Sequence, residues 1–401
     1  MVKIKIPFNG DFLCYNHIMK IYDVIIIGGG AAGLSAAAAA SKLGKNILIL
    51  DMGPQVARKV SASGGGRCNF TNIAVSAQRY FGNNPDFVRS AISRVTPPEI
   101  LDWAKNHNIQ YVEKTAGQYF CATGAETVVK ALLQDASHAT IFTETCVNTI
   151  VKQDDCFYVT TDKKNFVAKS IIIATGGTSF PALGVSDFGY KVAKQFGHKI
   201  IPIRPALCAI GTKIFSPDLS GISTDVEIQI GKEIIQDSML FTHFGIGGPA
   251  VYRATVRNFN DIIINLLPDI NVYDLFQKAK QTSGRKTVSN ILADKLPLRL
   301  ARWLCSDTKN IADYKDSDLK SIADKINRLV IPKEDIKLHS LQSAEVVRGG
   351  VDTSQISSKT MESKLCKGLY FAGEVLDIAG DLGGFNLHWA WASGRIAGEN
   401  A

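Results

Sequence analysis

No apolar run in this 401-residue chain reaches the roughly 18 residues that a membrane-spanning helix needs. The nearest, Val24–Ala40, is broken by a glycine cluster and leads through Lys42 and Lys45 into a second apolar segment, the pattern of a buried β-α-β unit. Cysteine is scattered over positions 14, 68, 121, 146, 156, 208, 305 and 366, with no C-x-x-C pair and no ligand-spaced Cys/His set. That disfavours a disulfide framework, a zinc site and a redox-active dithiol together. The first 20 residues lack an apolar core and a small-residue cleavage site, so they do not read as a signal peptide. With 46% apolar residues the composition is that of a globular protein, which excludes a fibrous or disordered chain. At about 100–200 residues per domain, two or three domains are expected. The expectation is a soluble cytoplasmic protein, with residues 1–19 an unstructured extension or a stretch upstream of a start at Met19.

What is present begins at Tyr22–Ile27 (YDVIII), a β-branched run typical of a strand buried on both faces. It runs into Gly28-Gly29-Gly30-Ala31-Ala32-Gly33, an alanine-rich helix to about Leu43, and a second strand, Lys45–Leu50, ending at Asp51. This is G-x-G-x-x-G between strand and helix, with an acid about 20 positions on, the dinucleotide-binding arrangement. Gly28 allows the tight turn, Gly30 lets the backbone approach a pyrophosphate, and Gly33 lets helix and strand pack closely. The helix start offers unpaired N–H groups and partial positive charge to phosphates. Asp51 suits the hydroxyls of an adenosine ribose.

Three later segments extend the same site. Arg58-Lys59 precedes Ser63-Gly64-Gly65-Gly66-Arg67-Cys68-Asn69, a glycine loop with cationic and amide donors suited to a second phosphate stretch or a flavin edge. Ser170–Ala174 is another buried strand, closing on Thr175-Gly176-Gly177. Gly368–Ala372 runs into Gly373-Glu374 and Asp377, then Gly383-Gly384-Phe385-Asn386 and a small-residue helix, Leu387–Gly398. Pieces of one nucleotide site hundreds of residues apart suit a long cofactor and favour FAD over NAD. The helix beginning near Asn386 would aim its positive end at the N1/C2 side of an isoalloxazine.

The segments RKVSASGGGRCNFTN (58–72), ATGGTSFPALG (174–184), FTHFGIGGPA (241–250) and GLYFAGEVLDIAGDLGGFNLHWAWASGRIAG (368–398) resemble those of a bacterial FAD-dependent oxidoreductase family with an inserted domain. That family includes an aminoacetone-oxidase-type branch and enzymes that make dihydrouridine in 23S ribosomal RNA. The resemblance spans nearly the whole chain after Met19. It departs from the family's usual pattern at His388 (usually Gln), at Val347-Arg348 (usually a Thr-containing EVTxGGV segment) and at Gly247 (commonly Ser). The fold it implies is α/β: a Rossmann-like FAD-binding domain of the glutathione-reductase type, interrupted by a β-barrel plus helical insert. The cofactor-binding residues implied are Gly28, Gly30, Ala31, Ala32, Gly33, Asp51, Lys59, Ser63–Asn69, Ala174, Thr175, Gly176, Gly373, Glu374, Asp377 and Gly384–Leu387.

The FAD-fold segments occupy 20–195 and 343–401. Between them, 196–270 alternates short β-type runs with turns (Lys199–Ile203, Ala209–Ile214, Asp225–Ile230, Asp261–Leu267), which suits a small barrel completed by 331–342. Residues 271–330 change to helical spacing, as in Leu275/Phe276/Ala279 and Leu319/Ile322/Ile326/Leu329. Gly245–Ala250 fits G-x-G-x-x-A, yet Ala250–Asn258 is short for the crossover helix of a second Rossmann unit. A turn placing His243 near the flavin is the duller reading. From Phe276 to Trp303 lie Lys278, Lys280, Arg285, Lys286, Lys295, Arg299 and Arg302 against one acid, Asp294. This is either a solvated face or a phosphate-binding surface for RNA.

Flavin chemistry occurs at N5, so the protein supplies orientation, charge and a proton. One reading is hydride addition to a uracil of ribosomal RNA, with Cys68, His243 or His388 as proton donor and NAD(P)H as a transient reductant. A second is oxidation of a small amine with release of hydrogen peroxide. A third is a flavin-binding, ribosome-associated protein without turnover. The sequence leaves the oligomeric state open.

Overall fold

The computed structural model describes residues 20–401 in full and the backbone of Ile4–Phe8 and Asp11–Tyr15. These two short segments pair antiparallel, where an unstructured extension was expected; the rest of 1–19 lies outside the described residues.

Ile21–Ile27 pairs in parallel with Ile47–Leu50 on one side and with Asn165–Ile173 on the other. Thr140–Phe142 and Leu369–Phe371 extend the parallel core outward from those two neighbours. Asn165–Ile173 serves twice: residues 165–168 close an antiparallel meander with Cys156–Thr161 and Val147–Gln153, while the parallel pairing runs from Val167 to Ile173. Val24–Ile27, Ile47–Leu50, Ile171–Ile173 and Leu369–Phe371 are buried on both faces, which explains these uninterrupted apolar runs. The helix Ala31–Lys42 packs on this sheet and against the last helix, Phe385–Asn400, so the two ends of the described chain meet.

Gly28 is held at φ +103°, and a Cβ on it would lie 2.5 Å from the Ala174 carbonyl oxygen. At Gly33 a Cβ would fall 1.9 Å from the Gly28 carbonyl oxygen, so the helix can approach the strand only without a side chain there.

The intervening segment forms a seven-stranded antiparallel sheet, in the order Leu329–Ile331, Ile262–Asn265, Ser223–Ile230, Glu233–Thr242, Gly245–Gly247, Ile210–Gly211, Lys337–Leu338. Laid flat, strands at about 4.8 Å spacing would separate the two edges by roughly 29 Å, but the link from Ile331 to Lys337 spans at most roughly 21 Å. The sheet therefore curls towards a barrel. The helices Val272–Thr282, Val288–Ala293, Leu298–Leu304 and Asp316–Asn327 share one hydrophobic core with it.

Several local expectations change. The Lys199–Ile203 run, read as a barrel strand, lies instead in the strand Ile200–Ala206, which pairs with Val346–Val351, and this antiparallel pair joins the insert to the Rossmann-like part. Ala209–Ile214 shortens to Ile210–Gly211, and Leu329 leaves the helical register to begin a sheet-edge strand. Gly245–Gly247 runs antiparallel to Leu240–Thr242 and is followed by a seven-residue helix, Pro249–Thr255, so this segment is not a second Rossmann unit.

Arg204 and Arg348 face each other across the joining pair. Both turn to the end of the Pro249–Thr255 helix: Arg204 donates to the carbonyls of Thr255 and Arg257 at 2.8 Å, and Arg348 to that of Val256 at 2.6 Å. Cations suit a helix C-terminus. Burial, and secondly the Arg348 charge, push the Arg204 guanidinium down to about 10.

Candidate functional site

Four parallel strands end along one edge, at Ile27, Leu50, Ile173 and Phe371, and each continues into a turn of small or acidic residues. Ligands of open parallel sheets bind outside these carboxyl ends. A cleft of about 1170 Å³ opens there, larger than the roughly 300–1,000 Å³ of ordinary small-molecule sites. An extended dinucleotide matches that size.

At one end, Asp51 braces the glycine turn. Its carboxylate accepts the Gly29 and Gly53 N–H groups, each at 2.8 Å, and pairs with Arg58 at 3.4 Å. Gly30, Ala31 and Ala32 carry the turn along the cleft. In the middle, the Lys59 ammonium meets the Glu374 carboxylate at 2.7 Å and the Ser179 hydroxyl at 2.7 Å. Glu374 also accepts the Val347 N–H at 3.0 Å, so segments from both chain ends and from the return of the insert converge.

The expected glycine loop proves partly helical. Arg58–Gly66 is helical but interrupted at Ser63–Gly65, and Gly64, Gly65 and Gly66 all take positive φ. The far end of the cleft is the start of the Phe385–Asn400 helix, which has no side-chain cap. Its first N–H groups lack intrahelical partners and sit where Gly384, Phe385, Asn386 and Leu387 line the cleft. Asn386 is locked onto the Gly380 backbone at 2.8 and 3.0 Å.

Ser63, Gly64, Gly65 and Asn69 also line the cleft, as do Ala174, Thr175, Gly176 and Gly373. Asn69 Oδ1 and Thr175 Oγ1 are buried there without a protein partner. A Cβ on Gly30 would meet nothing within 4 Å, so the cradle at the turn is vacant of protein. Size, donors and cradle fit a dinucleotide cofactor.

Other expected residues lie elsewhere. Gly33 serves helix packing rather than the cleft wall, and Gly66 and the exposed Arg67 point off it. Asp377 is buried behind the wall, accepting the Asn83 and Gly349 N–H groups at 2.8 and 3.1 Å. Cys68 is fully buried, and burial pushes its thiol up to about 12. It meets neither cleft nor solvent, so it has no route for a proton. His243 stands exposed in the Thr242–Gly245 turn, outside the cleft.

His388 is wholly buried. Its Nε2–H donates to the Val95 carbonyl at 2.9 Å, and its Nδ1 accepts the Thr71 hydroxyl at 2.8 Å. Burial lowers its pKa to about 4, so the ring is neutral and both nitrogens are used. It is a structural residue. Because the native pKa lies below the unfolded value, the unfolded chain binds the extra proton between them. Stability is therefore lost as pH falls from about 6.5 towards 4, by up to roughly 3 kcal/mol. His388→Gln should remove that acid-side loss, as measured by urea unfolding at pH 7 and pH 5.

Sequence reasoning missed the insert side of the wall: Leu207, Arg253, Glu345 and Val346, together with Arg79. Arg79, Arg253 and Arg257 surround the fully buried Asp381 at 3.1, 3.7 and 3.2 Å. Their partners lie far apart in sequence, and no local pattern marks them.

Among curated proteins, the chain is 40% identical over 388 residues to a ribosomal RNA dihydrouridine synthase of Haemophilus influenzae, covering 92% of this chain and 96% of that protein. It is 34% identical over 392 residues to the Escherichia coli protein of the same name, covering 94% and 96%. A 3-dehydro-bile acid delta(4,6)-reductase of Clostridium scindens is 28% identical over 404 residues, covering 94% and 98%. A strand–glycine turn–helix–strand unit opens the fold, and the model of the HI0933-like protein Rossmann domain matches residues 22–400; the chain belongs to that family.

Proposed function

We propose that the protein is an FAD-dependent oxidoreductase that reduces a uridine of 23S ribosomal RNA to dihydrouridine. The observation that carries the cofactor half is the single cleft walled by both ends of the described chain. Gly28–Ala32 would hold the pyrophosphate, Asp51 the adenosine ribose, and Ser63–Gly65 with Gly384–Leu387 the isoalloxazine. The bound flavin supplies hydride once NAD(P)H has reduced it. No second Rossmann turn stands among the described residues, so the nicotinamide donor enters the same cleft transiently. The RNA half is supported by the two relatives named as ribosomal RNA dihydrouridine synthases. The reductase name of the third relative fits the same class of step, saturation of a carbon–carbon double bond.

A uracil in structured RNA must be unstacked to enter such a cleft. The helical part of the insert supplies the docking face. Of its seven cations, Lys280 is paired with Asp316, Lys286 with Asp294, and Arg299 donates to the Ser220 carbonyl. Lys278, Arg285, Lys295 and Arg302 are exposed and make no ion pair among the described residues. Changing these four to Ala should leave FAD content intact. Filter binding across a salt series should show the affinity for ribosomal RNA falling about tenfold to a hundredfold, with the log–log salt slope shallower by about 3. Unchanged binding contradicts the docking face.

Mass spectrometry of 23S ribosomal RNA from cells lacking the protein tests the reaction. One uridine should lack its two-hydrogen increment and regain it on complementation. An identical RNA with and without the protein overturns the reading, and peroxide release with small amines would replace it by the oxidase reaction.

A further inference from the structure

We infer that Glu345 is the acid that delivers a proton to C5 of the bound uracil, an inference that rests on the ribosomal RNA reading above. Among the described residues, the cleft wall contains no histidine and no tyrosine. Its acidic groups are Asp51, Cys146, Asp237, Glu345 and Glu374. Asp51 is held by two backbone N–H groups and Arg58 at the adenosine end, and Glu374 is engaged by Lys59 and the Val347 N–H. Asp237 faces Arg253 at 3.6 Å. Cys146 follows Thr145, whose N–H donates to the Asp51 carbonyl, so it belongs to the adenosine end. Glu345 is the one carboxylate of the wall whose side chain makes no hydrogen bond or ion pair among the described residues.

Its backbone, by contrast, is fixed. The Glu345 N–H donates to the Leu207 carbonyl at 3.3 Å, and its own carbonyl accepts the Ser179 hydroxyl at 3.1 Å. That hydroxyl also bonds Lys59, so Glu345 stands where the Lys59–Glu374 network meets the insert side of the cleft. The side chain is reachable from the cleft yet surrounded by protein. Those surroundings raise its pKa above the ordinary carboxylic value, with the Lys59 ammonium opposing the rise. Lys59 and Tyr252 are the ionisable groups whose charge is coupled to that of Glu345, with Cys208 beyond Tyr252. A carboxyl that is unpaired, open to the cleft and raised in pKa has the character of a general acid.

C6 of the uracil takes a hydride from the reduced flavin, forming a C6–H bond while the C5=C6 π bond breaks. The freed electron pair on C5 takes the Glu345 proton, forming a C5–H bond. The flavin is oxidised, the uracil reduced, and the carboxylate regains a proton from water.

The test uses purified holoenzyme, NADPH and ribosomal RNA from cells lacking the protein. Wild type should form dihydrouridine at a rate that falls as pH rises through the Glu345 pKa. Glu345→Gln should keep its FAD content but form product about a hundredfold more slowly or worse, with that limb gone. Glu345→Asp should recover part of the rate and the pH dependence. A wild-type-minus-Glu345→Gln infrared difference spectrum, read without turnover, should show a protonated carboxyl band persisting above pH 4.5. If wild type makes no dihydrouridine, the RNA reading falls and the inference with it. If wild type and Glu345→Gln react alike with the same pH profile, the inference alone falls.

Discussion

Gly30→Val should yield a folded protein that cannot hold FAD. Gly30 has ordinary helix-entry angles, φ −78° and ψ −167°, and a Cβ there would meet no protein atom within 4 Å. Valine therefore adds its branches to the cleft rather than to the core, in the space where a pyrophosphate would approach the helix start. We expect at least a ~100-fold loss of FAD affinity, about 2.7 kcal/mol or more, measured by flavin fluorescence quenching. The control is thermal stability against cofactor-free wild type, because a ligand stabilises whatever binds it. A yellow, stoichiometrically loaded variant contradicts the assignment of the turn.

The second large effect concerns the seam between the ends of the fold. A Cβ on Gly394 would lie 2.2 Å from the Ala32 carbonyl oxygen, and one on Gly398 would lie 2.1 Å from that of Ala36. These neighbours are backbone and cannot rotate away. Gly394→Val must therefore push the Phe385–Asn400 helix off the Ala31–Lys42 helix. It would also strain the Ser35 hydroxyl bond to the Trp391 carbonyl and the Ser393 hydroxyl's acceptance of the Gly373 N–H. Overpacking of this kind costs about 3 kcal/mol, and the melting temperature should fall by roughly 5–10 °C. Cofactor affinity should fall with it, because the same helix starts at the far end of the cleft. A variant with wild-type melting and wild-type FAD content would show that the two helices are free to separate.

The parts of the site legible in the sequence are those written locally. Strand, glycine turn, helix and strand from Ile21 to Leu50 are contiguous, and Gly33 has its reason five residues back, at the Gly28 carbonyl. The Thr175-Gly176 and Gly383-Gly384 turns are readable because a buried strand must end somewhere small where a ligand approaches. Contacts across the chain were not readable. Asp381 draws its arginines from positions 79, 253 and 257, and no periodicity links them. Ile200–Ala206 has the composition of a barrel strand, but its partner lies at Val346–Val351. His388 looked chemically available because a sequence does not state burial; the Val95 carbonyl and Thr71 hydroxyl that occupy it come from elements far upstream.

We infer that one FAD occupies the cleft lined by segments from both ends of the described chain. Absorbance of the purified protein between 350 and 500 nm, before and after incubation with excess FAD and removal of the unbound fraction, tests it most directly. The account predicts a flavin spectrum equivalent to one FAD per chain, released on denaturation. Protein that stays colourless after that treatment contradicts it.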